Sequence, residues 1–409
     1  MGARGRRQGG DDIAPQLGYT TQEVRAEEGE VLAAAADVAA GRRWRQGVSA
    51  RTAASVAKDW SLRPDQRAAF DHAVAGGGLK VIEGRAGAGK SHTLQAVRAA
   101  HAAAGHRVIG LAPTNTVAQD LKRDGFAAAA TAHGALFALK NGRDTWDKGC
   151  VVIVDEAAML GSRVTGALLA EAACVGAKVI LADDDKQLAS IARGGLFAEI
   201  KARHGAAEIS QVTRQRQDWQ RAAAEDLAAG RFQEAVAAFD RHGAITWVAT
   251  QDEARAALVE RWTEETAAHP QASNFVFAYT NKDVDALNAD LRAARRARGE
   301  LGGDHGFATA HGALAFAVGD RVQFTETRKA LRIYNGNVGK ITAIDAITGR
   351  ITAAIDGDER EVSWTAGELA GFRHGYAGTI YKGQGKTLER TYLYHTHHWR
   401  AAPAYTNRP

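Results

Sequence analysis

The run Gly84-Arg85-Ala86-Gly87-Ala88-Gly89-Lys90-Ser91 has the spacing G-x-x-x-x-G-K-S, a glycine-rich turn whose successive backbone N–H groups can face an anion. Such a turn grips phosphate where a strand enters it and a helix leaves it, because the helix N-terminus adds its dipole. Both flanks are present. Leu79 to Glu83 reads as a short apolar strand, and Ser91 to Ala104 as an Ala-rich helix stopped at Gly105. The predicted cradle is Gly84, Gly87, Ala88, Gly89, Lys90, Ser91 and His92, with Lys90 reaching the terminal phosphates of a bound ligand and Ser91 ligating Mg2+.

Four apolar runs recur between Ser61 and Gly205: Val81-Ile82, Val108 to Ala112, Val151 to Val154 and Val179 to Ala182, each followed by a helix-like stretch or a polar loop. Short, continuously apolar strands with helical crossovers predict an α/β fold, a parallel sheet covered on both faces with ligands at the carboxyl ends of its strands. The pattern resumes with a strand over Ala244 to Val248, a helix over Glu253 to Ala267, a strand over Asn274 to Tyr279 and a helix over Asp283 to Arg298. From Gly319 to Leu369 the rhythm turns to short β segments, Arg321 to Thr325, Val338 to Ile344, Arg350 to Ile355 and Glu361 to Trp364. Asn335-Gly336 and Asp356-Gly357 supply their tight turns. These segments predict a small barrel inserted in the second α/β domain, to which Thr391 to Tyr394 returns as a strand. The expected division is 1–60 as a disordered lead-in with N-terminal helices, 61–205 as the first domain, and 206–409 as the second with its insertion over 319–369.

A chain of 409 residues has room for two or three such domains. Its formal net charge of +5 is compatible with a nucleic-acid partner without establishing one. Cys150 and Cys174 form no C-x-x-C pair or zinc spacing, and no apolar run reaches transmembrane length, so a reducing, cytoplasmic setting is expected.

Val151-Val152-Ile153-Val154-Asp155-Glu156 ends a strand in two carboxylates, where phosphoryl transfer needs one acid for magnesium and one for water. Asp155 is assigned to the metal and Glu156 to the water. A third strand end leads through Asp183-Asp184-Asp185 to Gln187, placed to sense the γ-phosphate. Three acids in a row also suit a metal nuclease, yet no separate Glu and Lys accompany them at a fitting spacing. Asn281-Lys282 lacks the aspartate that a guanine-reading motif carries two residues on, since position 284 is Val.

Together these motifs resemble superfamily-1 DNA helicases of the RecD-like branch, particularly the helicase region of Ti-plasmid-type TraA conjugative relaxases, over most of residues 20–400. The resemblance implies two RecA-like domains, with ATP between them and single-stranded DNA running across both, along which the protein moves 5′ to 3′. The insertion becomes an SH3-like barrel beside the DNA path. Leu62-Arg63-Pro64-Asp65-Gln66-Arg67 matches the family's adenine-reading glutamine, which implies Gln66. Ala112-Pro113-Thr114-Asn115-Thr116 and Thr131-Ala132-His133-Gly134 match its DNA-backbone segments, which implies Thr114, Asn115, Thr131 and His133. Val212-Thr213-Arg214-Gln215 implies Arg214 as the arginine finger. Thr379-Ile380-Tyr381-Lys382-Gly383-Gln384-Gly385 resembles the T-x-H-K-x-Q-G element, with tyrosine in place of histidine, and implies Thr379, Tyr381, Lys382 and Gln384 on DNA.

Two departures stand out. The family's Gly-Asp is Asp183-Asp184 here, removing a glycine ahead of Gln187. The closing Ala404-Tyr405-Thr406-Asn407-Arg408-Pro409 replaces a Y-V-A-L-T-R element, which implies a truncated or degenerate last motif with Arg408 as its candidate arginine. The competing expectation is therefore a nucleotide- and DNA-binding fragment impaired in catalysis. The relaxase's nicking tyrosine and histidine cluster are not expected, and His395, His397 and His398 read as a polar loop. Conjugative transfer machinery is the expected partner beyond single-stranded DNA, with no membrane partner.

Overall fold

The computed structural model describes residues 21–41, 44, 47–85, 87–184, 196–211, 217–357, 360–380 and 388–396. In the first half, helices α1 (Gln22–Ala39), α2 (Ala50–Asp59) and α3 (Pro64–Val74) lead into β1 (Leu79–Gly84) and α4 (Lys90–Ala103). They are followed by β2 (Arg107–Ala112), α5 (Asn115–Arg123), β3 (Ala128–Thr131), α6 (Ala132–Lys140) and β4 (Cys150–Asp155). The half closes with α7 (Ser162–Val175), β5 (Lys178–Asp183), α8 (Leu196–His204) and β6 (Ala207–Ile209). The six strands form one parallel sheet in the order β3-β2-β4-β5-β1-β6.

Helices cover both faces, so the central strands carry apolar side chains at every position, as in Cys150-Val151-Val152-Ile153-Val154 of β4. Alternation along the strand divides them. Val152 and Val154 face a layer with Val31, Ala35 and Val38 of α1 and Leu168, Leu169 and Ala172 of α7. Val151 and Ile153 face Phe70 of α3 and Leu94 and Val97 of α4. Each Val, Leu, Ile or Phe among them contributes about 1.5–3 kcal/mol on burial. Helices α1 and α2 therefore pack on opposite faces of the sheet, within the core of the first domain.

Helices α9 (Asp218–Ala228) and α10 (Phe232–Arg241) make a hairpin around Leu227 and Ala235. Then come α11 (Gln251–Ala268), β7 (Asn274–Ala278) and α12 (Asn281–Ala297). The strand expected over Ala244 to Val248 is irregular chain instead: no strand lies alongside it among the described residues, and Trp247 is 67% exposed with its indole donating to Asp240.

After α12 the chain turns antiparallel. A hairpin of β8 (His305–Thr309) and β9 (Gly312–Phe316) precedes β10 (Arg321–Phe324), β11 (Val338–Asp345), β12 (Arg350–Ile355), β13 (Glu361–Thr365) and β14 (Phe372–His374). The last five form a sheet in the order β13-β12-β11-β10-β14 around Phe324, Ile341, Trp364 and Phe372. Gly336 and Gly357 take positive φ, 93° and 67°, at its turns. The chain then returns through β15 (Ala377–Thr379) and β16 (Arg390–Leu393), which flank β7 in parallel, so the antiparallel sheet is an insertion within a second parallel unit.

Candidate nucleotide and DNA site

The glycine-rich turn leaves the carboxyl end of β1 beside the carboxyl ends of β5 and β4, because β5 lies between β1 and β4. Gly87 and Gly89 have φ of 79° and 85°, conformations that suit glycine and fold the loop back over the start of α4. A Cβ on Gly89 would collide with the Gln66 carboxamide. Buried Gln66 accepts from the Arg63 amide at 3.2 Å and donates to the Gly89 carbonyl at 3.3 Å, so the predicted adenine-reading residue lies directly against the loop.

Lys90 opens α4 and turns onto the two predicted acids. Its Nζ lies 3.1 Å from Asp155 Oδ1 and 3.1 Å from Glu156 Oε1, with the three side chains 11%, 8% and 9% exposed. Burial opposes the lysine's charge, but Asp155, Glu156 and Asp183 outweigh it and hold the ammonium well above its ordinary range. Glu156 sits at φ 54°, a left-handed conformation uncommon outside glycine and found where a site holds a side chain in place. The Asp155 carboxylate accepts from the Glu156 amide at 3.0 Å.

Asp183 is the acid whose part the sequence did not reveal. Fully buried at the end of β5, it accepts from the Ala158 and Asp184 amides. Burial, and then Glu156, push its carboxyl well above the carboxylate range, with Lys90 pulling against them. Asp183 is thus a third acid acting on Lys90, at a position where the motif resemblance implied a glycine. Ser91 occupies the next position on α4, exposed and lining the cleft. His92 turns away: its Nε2 lies 2.8 Å from the Trp60 carbonyl and its ring meets Trp60 at 5.3 Å between centroids.

The DNA candidates of the first domain share an edge. Ala112 pairs with Thr131 in the register of β2 and β3, so α5 and α6 begin side by side at the same end of the sheet. The Thr114 hydroxyl caps α5 by accepting from Val117 N at 3.3 Å, and the Thr131 hydroxyl caps α6 by accepting from Gly134 N at 3.0 Å. Asn115 and His133 lie in the first turns, His133 exposed. Two helix N-termini thus open on one rim, an arrangement that favours phosphate oxygens. In the second unit Thr379 ends β15, paired with Ala278 at the carboxyl end of β7. Gln187, Arg214, Tyr381, Lys382, Gln384 and Arg408 lie outside the described residues, as do His397 and His398.

A cleft of about 1920 Å³ runs from Gly87, Lys90, Asp155 and Glu156 past α5 to the inserted sheet and the start of β7. The insertion reaches across it. Arg123 of α5 donates to the Gly357 carbonyl, and Gly336 lies so near Thr116 that a Cβ there would come within 3.2 Å of the hydroxyl.

Residues 61–250 match the AAA domain family. The chain is 33% identical over 332 residues to the conjugal transfer protein TraA of Rhizobium radiobacter, spanning 80% of this chain and 30% of that one. It is 32% identical over 340 residues to TraA of Agrobacterium fabrum, spanning 83% and 30%. The chain therefore covers about three tenths of the length of these relatives. A Bacteroides Pif1 helicase solved with ADP-AlF3 and ssDNA aligns at a TM-score of 0.52 with 18% identity, covering 86% of this chain and 88% of that one. The Pif1 helicase of Candida albicans aligns at 0.55 with 14% identity, covering 84% and 91%. These likenesses agree with the α/β architecture of two RecA-like domains. Over residues 61–250 the chain thus carries the likeness of an AAA domain, and it is similar to the TraA conjugal transfer proteins over about three tenths of their length.

Proposed function

We propose that the chain is a DNA-dependent ATPase that moves 5′ to 3′ along single-stranded DNA and unwinds duplex, as the helicase part of a conjugative transfer protein acting in the cytoplasm. The single observation that carries this reading is the junction of Lys90, Asp155 and Glu156 over adjoining strand ends, beneath a glycine turn and on a cleft shared with a second parallel unit. Among the described residues no helix is long and apolar enough to cross a membrane.

Each residue then has a task. The loop from Gly84 to Gly89 and the ammonium of Lys90 hold the triphosphate. The Asp155 carboxylate and Ser91 hydroxyl, which line the same cleft, are hard oxygen donors of the kind Mg2+ takes. When bound, the ion neutralises charge on the phosphates. Glu156, held in its left-handed turn, orients the attacking water and takes its proton. By the motif resemblance, Arg214 stabilises charge on the γ-phosphate and Gln187 senses its loss. Thr114, Asn115, Thr131 and His133 contact the DNA backbone on one side, and Thr379, Tyr381, Lys382 and Gln384 on the other. Affinity from phosphates falls steeply with salt, and stacking tolerates any sequence.

ATP hydrolysis measured with and without single-stranded DNA tests this, with Lys90→Ala and Glu156→Gln as controls. Strand displacement on substrates with opposite overhangs tests direction. DNA binding without turnover would establish the impaired fragment instead.

A further inference from the structure

Arg63 occupies the N-cap of α3, where Ser, Thr, Asp or Asn would close a helix locally. A guanidinium has no acceptor and cannot do this. Its contacts run elsewhere. Nη2 donates to the Ala88 carbonyl in the glycine turn at 2.7 Å and to the Gln211 carbonyl at 3.2 Å, and Nε pairs with Asp65 at 3.4 Å. Asp65 in turn accepts from the Gln211 amide at 3.0 Å, so the first turn of α3 holds both backbone groups of Gln211. The guanidinium is therefore braced on two sides before it touches the loop.

A trans peptide is planar, with its C=O and the following N–H pointing opposite ways. With the Ala88 carbonyl drawn outward to Arg63, the Gly89 N–H is aimed into the concave side of the loop. One residue later the Gly89 carbonyl is held by α4 itself, accepting from the Thr93 amide at 3.2 Å, with Gln66 adding a donor at 3.3 Å. We propose that Arg63, braced by Asp65, is a positioning residue that orients the Ala88–Gly89 peptide so that the loop presents its N–H groups to phosphate. This rests on the loop being a triphosphate site. The ligand class is any di- or triphosphate, and the adenine plays no part in the effect.

The test measures equilibrium binding of ADP and of inorganic pyrophosphate to the full chain, with melting temperatures alongside. Arg63→Ala is expected to weaken both ligands by the same factor, about tenfold, at a melting temperature near that of the parent protein. Asp65→Ala is expected to weaken both by about threefold, and Arg63→Lys to recover part of the loss, since an ammonium reaches one carbonyl but not two. ADP weakened with pyrophosphate unchanged would overturn the proposal by placing Arg63 on the nucleoside. Arg63→Ala and Asp65→Ala both binding like the parent would overturn it while leaving the triphosphate site standing. A parent protein that binds neither ligand would remove the site and the proposal together.

Discussion

Replacing Lys90 by Met should do more than abolish hydrolysis: it should destabilise the nucleotide-free protein. The lysine lies 3.1 Å from each of two carboxylates in a pocket where all three side chains are about nine-tenths buried. Removing one partner of a buried ionic cluster costs about 3–5 kcal/mol, because the remaining charges are left uncompensated. Asp183 moderates this, since its carboxyl is already pushed far up by burial and by Glu156 and loses a further restraint when Lys90 goes. That places the expected loss near the lower end, about 3 kcal/mol, or roughly 6–12 °C in melting temperature for a domain of this size. An acid whose folded pKa exceeds its unfolded value holds an extra proton in the folded state, so stability rises as pH falls. The deficit of Lys90→Met should therefore narrow from pH 8 to pH 6. Lys90 itself contributes its full stabilisation below its unfolded pKa and loses it only as pH rises through its elevated folded value. Calorimetry without nucleotide at both pH values is the assay, with Lys90→Arg expected to recover most of the loss. A Lys90→Met protein that melts within about 2 °C of the parent at pH 8, or above it, would refute the reasoning.

Glu156→Gln should lower DNA-stimulated ATP hydrolysis by about 10²–10⁴-fold while leaving ATP affinity within a few-fold, as read by steady-state turnover and a fluorescent nucleotide. Gly89→Ala should cost about 1–2 kcal/mol in backbone conformation and displace Gln66, weakening ADP binding in a titration. Lys178 is fully buried, donates to the Ala75 carbonyl at 2.7 Å, and is brought down to about 7 by burial first and then by Lys80. Between about pH 7 and the unfolded lysine value the folded state holds fewer protons, so stability should rise with pH across that window, and Lys178→Met should flatten the rise in urea melts at pH 7 and 9.

The parts of the site that are contiguous in sequence could be read from it. The glycine turn carries its own spacing, and β4 and β5 announce themselves as unbroken apolar runs ending in acids. What could not be read depends on partners far along the chain. Ala128 to Thr131 is four small residues with no apolar signature, and it is a strand because β2 pairs with it. Ala244 to Val248 has the composition of a strand and lacks a neighbour to pair with among the described residues. Arg63 looks like a poor helix start until the carbonyls of Ala88 and Gln211 come within its reach. Asp183 read as a lost glycine, while its folded position makes it a gained acid against Lys90.

The seat of α1 bears on how this protein can be cut for study. The AAA match begins at residue 61, which invites expression from that point. Val31, Ala35 and Val38 would then be missing, and Leu168, Leu169 and Ala172 would meet water together with that side of the strands. A piece starting there would carry an oily flank along its first domain and clump with its own copies, however sound the chemistry on the opposite rim.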